Sequence, residues 1–251
     1  MNEQRFDNKG KVYAQFRPDY STQFIEYLYT EVGLQSGSVI ADIGAGTGIL
    51  TRQLLHRGSS VYAVEPNDDM RSAVQQGLKQ FDGLHLVCAS AESTGIDGGT
   101  IDFVTVGQAY HWFDRKRFQD ECKRILRPGG KVILVWNDRD AGSDLIAANA
   151  LINTLFCPGF KGFGGYLTQA ERANDFTDFF TGDYDVRVFE NDVMLDQKQF
   201  IGRNLSSSYA PRESDKNYQT YVDAVQELFD GFSKDGRLAY PYKTCSYVGR
   251  V

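Results

Sequence analysis

The sequence has little with which to build a metal centre or a disulfide framework. Its 251 residues include only four cysteines, Cys88, Cys122, Cys157 and Cys245, far apart and without a C-x-x-C pair, and only three histidines. No metal is expected, and the cysteines read as reduced thiols. Basic runs are equally scarce. None is longer than Arg115-Lys-Arg117, and the net charge is −6, which argues against a surface that tracks phosphates and so against nucleic acid as a partner. Nothing approaches 18 consecutive apolar residues, and Met1-Asn-Glu-Gln-Arg-Phe-Asp7 lacks the apolar centre of a signal peptide. No membrane partner is expected, and a cytoplasmic location is. With 41% hydrophobic and 24% charged residues, the chain has enough apolar material for one large domain over 1–251, or a domain carrying an inserted cap.

The most informative stretch that is present is Val39-Ile-Ala-Asp-Ile-Gly-Ala-Gly-Thr-Gly48. Val39, Ile40 and Ile43 read as a buried parallel strand, and Ile49-Leu50 with Leu54-Leu55 open an amphipathic helix after the turn. Gly44, Ala45, Gly46 and Gly48 form the turn between them. A dinucleotide fingerprint needs its third glycine at position 49, which is Ile49. The register points instead to S-adenosylmethionine, with S-adenosylhomocysteine as the product. Glycine there permits backbone angles and ligand approach that a Cβ would block, although any tight strand-to-helix turn also favours it. The helix start offers N–H groups to a carboxylate, and Asp42 at the strand end is placed to accept from an ammonium. A second strand, Ser60-Val-Tyr-Ala-Val-Glu65, ends in an acid suited to both ribose hydroxyls, and Pro66 stops it. Met70 has two readings, cover for an adenine face or core filling.

Strands near 39–43, 60–65, 84–88, 101–106 and 131–136 alternate with helices near 49–57, 68–80 and 114–126. That rhythm predicts an α/β, Rossmann-like, doubly wound sheet with helices on both faces. Phe24, Ile25, Leu28 and Tyr29 predict a helix over Ser21 to Val32, within an N-terminal segment 1–36 that flanks the cleft. Val186 to Leu195 and Leu238 to Val251 read as two further strands. From 137 to 182 the alternation fails, and Phe156, Phe160, Phe163 and Tyr166 punctuate a glycine-rich stretch. That segment reads as an inserted substrate cap whose aromatic residues close over an acceptor, or as a surface excursion.

At this point the chain resembles the class I S-adenosylmethionine-dependent methyltransferases over essentially its whole length. Ala41-Asp-Ile-Gly-Ala-Gly-Thr-Gly48 is similar to the family's cofactor loop, and Val64-Glu-Pro-Asn67 to its ribose-binding strand end. Cys88-Ala-Ser-Ala-Glu92 resembles the loop in which the Ala91 backbone and the Glu92 side chain meet adenine. Ile101 to Gln108 looks like the fourth strand, with Gln108 near the sulfonium, and Ile125 to Val135 like the turn into the fifth. The resemblance implies seven mostly parallel strands, ending in an antiparallel pair. Gln108-Ala-Tyr-His-Trp-Phe113 and Tyr13-Ala-Gln-Phe-Arg-Pro-Asp-Tyr20 resemble a small-molecule branch that includes enzymes acting on carboxylic acids such as trans-aconitate.

The expected activity is methyl transfer to a small-molecule acceptor, at a carboxylate or hydroxyl oxygen. The alternative is a non-catalytic sensor or partner module using the same cleft. His111 is the candidate base or acceptor-orienting group, against a reading in which it only packs between Tyr110 and Trp112. Arg17 is a candidate for acceptor charge. Tyr13 and Tyr20 either close over the cofactor or staple an N-terminal helix, and Ser206-Ser-Ser-Tyr209 either lines the acceptor pocket or forms a turn. Gly107-Gln-Ala-Tyr110 lacks the Asn/Asp-Pro-Pro-aromatic signature of base-amine and amide methylation, and no Pro-Cys nucleophile for cytosine C5 stands at the corresponding place. The sequence does not set the oligomeric state.

Overall fold

The computed structural model describes residues 18–163, 176–207 and 209–251. Among these, the chain divides into two compact units, one of 18–137, 176–189 and 244–251, the other of 138–163 and 190–243. The strands in chain order are β1 (Val39–Ile43), β2 (Ser60–Val64), β3 (Leu84–Val87), β4 (Ile101–Gly107), β5 (Leu126–Arg139), β6 (Asp185–Glu190), β7 (Val193–Leu195), β8 (Leu238–Tyr240) and β9 (Tyr242–Gly249).

Seven strands form one sheet in the order β3-β2-β1-β4-β5-β9-β6. β1 lies parallel to β2 and β4, β2 to β3, and β4 to β5. The period-two alternation of side chains explains why both faces are covered. Ala41, Ile43, Val132 and Leu134 join one buried cluster with Phe118, Cys122 and Ile125 of the helix Arg115–Ile125. Ile40, Val61, Ile133 and Val135 face the other way, against Phe24, Leu28, Leu50, Leu54 and Val74. Fully burying each such Val, Leu or Ile contributes about 1.5–3 kcal/mol. The sheet is therefore doubly wound, as its alternating sequence predicts.

Four helices serve this unit: α1 (Thr22–Tyr27), α2 (Ile49–His56), α3 (Asp68–Leu78) and α4 (Arg115–Ile125). α1 widens into a π-helical turn, Leu28–Val32, which stops at Gly33 with φ of 107°. Asn67 caps α3 by accepting from Met70 N at 3.0 Å, and Asp114 caps α4 by accepting from Arg117 N at 3.1 Å. β5 is longer than its central apolar run predicts. It begins at Leu126 opposite Ile101, and the Pro-Gly-Gly turn is absorbed as a register shift before Lys131 meets Phe103.

The second unit holds α5 (Asp144–Phe156), α6 (Gln197–Leu205), α7 (Tyr218–Phe232) and the antiparallel pair β7-β8. It has its own core, including Leu145, Phe200, Tyr221, Val225, Phe229 and Tyr240. Two sequence expectations change here. The single strand expected over Val186 to Leu195 is broken at Asn191-Asp192 into β6 and β7, which belong to different sheets. The one expected over Leu238 to Val251 is broken at Pro241, which has no N–H for a ladder, into β8 and β9.

The region expected as a cap also has a different anatomy. Its first part is the helix α5, and Phe176, Phe179 and Phe180 near its far end are buried in the first unit instead. Phe156, Phe160 and Phe163 are partly buried against the second unit's core; Phe160 meets Phe163 and Tyr209 edge-on at 5.0 Å each. Tyr166 lies outside the described residues.

Candidate cofactor site

The carboxyl ends of β1, β2, β4 and β5 surround a cavity of about 410 Å³ within the first unit. This is where an open parallel sheet binds ligands. Asp42, Gly44, Ala45 and Gly46 of the first loop line it, with Glu65, Pro66 and Met70 after β2. Ala91 and Glu92 form another wall, and Gln108 stands at the end of β4.

The loop is fixed by its own backbone. Gly44 N and Ala45 N donate to Val64 O at 2.9 and 3.1 Å, and Gly48 N donates to Ala45 O at 2.9 Å. Its glycines have different duties. A Cβ at Gly44 would stand 2.6 Å from Ala109 Cβ and 3.2 Å from the Phe113 ring, so this glycine lets the segment after β4 pack closely. A Cβ at Gly48 would press on Val74 and Leu78 of α3, and Gly48 is not part of the cavity wall. At Gly46, φ is +58° and a Cβ would meet nothing within 4 Å. The loop backbone at Gly46 therefore faces open space.

Glu65 is held by two backbone donors, Gly46 N to Oε2 at 2.9 Å and Asn67 N to Oε1 at 3.0 Å. The carboxylate is thus oriented by the backbone through both of its oxygens. Asp42 is deeper. Thr51 Oγ1 donates to its Oδ2 at 2.5 Å and Thr105 Oγ1 to its Oδ1 at 2.9 Å. Burial outweighs these bonds and pushes its carboxyl up to about 6. An ammonium placed beside it would favour the ionised form.

The Ala91-Glu92 wall is tied to α4, since Glu92 Oε1 accepts from Asp114 N at 2.9 Å. Met70 is buried in the first turn of α3, aimed by the Asn67 cap. Gln108 is left-handed, with φ of 63°, and is held there by its N–H to Val135 O at 2.9 Å and its Nε2 to Asn137 O at 3.2 Å. Such a conformation costs a non-glycine residue on the order of 1–3 kcal/mol.

His111 occupies the short 3-10 turn Tyr110–Trp112, its ring 4.8 Å from that of Trp112. Trp112 and Phe113 line the cavity, and His111 is not among the lining residues. Tyr13 and Arg17 lie outside the described residues, as does one residue of the serine cluster, Ser208. Tyr20 is buried and lines the cavity.

Pro18, Asn137 and the Trp112-Phe113 pair are among the lining residues that a local reading of the sequence does not assign to the site. Position at the carboxyl end of β5 is the only sequence signal Asn137 carries. Among the described residues, no group of three or more His, Cys, Asp or Glu is placed to hold a metal ion, and no helix is long and apolar enough to cross a membrane.

Comparison with known proteins agrees with this geometry. A family model described as a methyltransferase domain matches residues 41–134. An uncharacterized methyltransferase of Mycobacterium tuberculosis is 39% identical over 135 residues, 54% of this chain and 53% of that one. One of Schizosaccharomyces pombe is 33% identical over 129 residues, 51% of this chain and 50% of that one. The matched part therefore spans about half the length of these relatives. Among solved structures, a putative type II methyltransferase from Anaeromyxobacter dehalogenans shares the fold with a TM-score of 0.69 at 21% identity, covering 94% of this chain and 98% of that one. From Ala41 to Leu134 the chain is thus similar to a methyltransferase domain.

Proposed function

We propose that the whole protein transfers a methyl group from S-adenosylmethionine to an oxygen of a small acceptor, a carboxylate before a hydroxyl. The observation that carries this reading is the pre-oriented Glu65 beside the open Gly46 backbone, in a cavity that also holds the buried Asp42. In it, Glu65 binds the ribose, Asp42 faces the ammonium, and Met70, Ala91 and Glu92 border the adenine. When bound, the cofactor supplies an already activated methyl group on its sulfonium.

What is left to the chain is placement. Holding acceptor and donor in line is worth about 7–11 kcal/mol of barrier. A carboxylate is favoured by the lack of a ready base: among the described residues the titratable lining side chains are Tyr20, Asp42, Glu65 and Glu92, and Glu65 and Glu92 already accept backbone N–H groups. A carboxylate acceptor arrives ionised and needs no base, whereas a hydroxyl would need one, with His111 the nearest candidate in sequence. The resemblance of Gln108–Phe113 to carboxylic-acid methyltransferases supports the same choice. Arg17 is assigned as a source of charge for the acceptor. The net charge of −6 supports a small molecule over nucleic acid.

The test is transfer of labelled methyl from S-adenosylmethionine into a small-metabolite extract, followed by treatment with base. Base-labile label is the expected result, because a carboxyl ester hydrolyses. Stable label would overturn the carboxylate assignment, and no label from a protein that binds the cofactor would mark a non-catalytic binding module.

A further inference from the structure

The residues just before α1 are held across the cofactor cavity by an unusual set of side-chain bonds. Asn137 Nδ2 donates to Asp19 O at 3.1 Å and to Pro18 O at 3.4 Å, and its Oδ1 accepts from Thr244 Oγ1 at 2.6 Å. Thr244 Oγ1 also accepts from Ser21 N at 3.1 Å. From the other side Gln53 of α2 grips Tyr20 reciprocally: Tyr20 N donates to its Oε1 at 3.0 Å, and its Nε2 donates to Tyr20 O at 2.8 Å. Arg52 pairs with Asp19. Pro18 and Tyr20 are themselves part of the cavity wall, and the Tyr20 ring lies so close to Gly107 that a Cβ there would collide with it.

Asn137 has one further bond: its main-chain oxygen accepts from the amide of the left-handed Gln108. A single residue thus fastens the strap over the cavity and the side chain of the strained residue in its wall. On a strand where Val132 to Trp136 are all buried and apolar, a buried amide is costly unless its hydrogen bonds are needed. Both ends of this amide are committed to protein, its N–H groups to the strap and its oxygen to Thr244.

We infer that Asn137 is a positioning residue for the cofactor site, resting on the S-adenosylmethionine reading above: it latches residues 18–20 over the cavity and so sets how fast the cofactor product leaves. The cofactor enters and departs when the Asn137 and Gln53 bonds to the strap open.

Asn137→Asp keeps shape and size but cannot donate to the two carbonyls. Thr244→Val removes the donor to Oδ1 at nearly constant volume, and Thr244→Ser restores it. The readouts are the dissociation rate of S-adenosylhomocysteine, followed by stopped-flow tryptophan fluorescence because Trp112 lines the cavity, and the split between KM for S-adenosylmethionine and kcat. Loss of these bonds should speed dissociation by about tenfold or more in Asn137→Asp, with KM for S-adenosylmethionine rising in step. Thr244→Val should follow in the same direction, and Thr244→Ser should return to wild-type values. Unchanged dissociation in both Asn137→Asp and Thr244→Val, with wild type binding the product, would overturn the latch alone. Wild type that fails to bind S-adenosylhomocysteine would overturn the cofactor reading and the latch with it.

Discussion

The two units use buried polar groups in opposite ways. In the first, Asp42, Glu65 and Asn137 gather at one end of the sheet and border a cavity. In the second, Asn153 Oδ1 accepts from Tyr221 OH at 2.8 Å, its Nδ2 donates to Asn149 O at 2.9 Å, and Cys157 Sγ lies 3.7 Å from Oδ1. That network is closed between α5 and α7. Polar groups at the strand ends face a cavity, whereas those between the helices satisfy one another.

The largest separation of the two roles should come from Glu65→Ala. It removes the carboxylate proposed to bind ribose and leaves Gly46 N and Asn67 N without their acceptor, so affinity for S-adenosylhomocysteine should fall at least about a hundredfold, by calorimetry, with a stability loss of about 1–3 kcal/mol. Asn153→Ala should cost stability alone. It leaves the Tyr221 hydroxyl buried without its acceptor, at a cost of about 1–3 kcal/mol seen in urea unfolding, while cofactor affinity stays within about twofold. Equal effects of both substitutions on affinity would erase the distinction.

The next contrast is between two acids of the first unit. Asp42 is raised by burial to about 6, while Glu121 is pulled down to about 2, first by its hydrogen bond from Arg124 and then by Thr94. For Asp42 the folded state without cofactor binds the proton more tightly than the unfolded chain, so its contribution to stability is present at low pH and is lost as pH rises through about 6. For Glu121 the contribution is present above the ordinary carboxylate range and is lost as pH falls towards 2. Because an ammonium favours ionised Asp42, affinity for S-adenosylmethionine should weaken below about pH 6, approaching tenfold per pH unit. In Asp42→Asn that slope should disappear, as titrations between pH 5 and 8 would reveal. The smallest effect concerns Gln108. Gln108→Gly relieves the left-handed backbone but gives up the bond to Asn137 O, and a net gain near about 1 kcal/mol in thermal stability is expected, with somewhat faster cofactor exchange.

These contrasts also mark what could be read from the residues alone. β1, β2 and β3 end within a residue of expectation, β1 being a short apolar run closed by a glycine turn and β2 one closed by an acid. Asp42, Gly46 and Glu65 were legible for the same reason: their meaning comes from position at a strand end. α5 was not legible as a helix because its pattern is inverted, with Asn149 and Asn153 buried while Leu151 and Leu155 are 60% and 70% exposed. Asn137 carried no local signal, since its partners Pro18, Asp19 and Thr244 are each more than 100 positions away in sequence. The broken strands at Asn191-Asp192 and Pro241 belong to the same class: an apolar run does not reveal that its two halves join different sheets.

The central claim, that the strand-end cavity with glycines at 44 and 46 is an adenosyl-methionine site and not a dinucleotide site, is tested most directly by paired calorimetric titrations of S-adenosylmethionine and NADH into the wild-type chain. Saturable binding of S-adenosylmethionine at one site per chain, with NADH giving no binding isotherm, is the expected result. Binding of NADH with no heat from S-adenosylmethionine would contradict it.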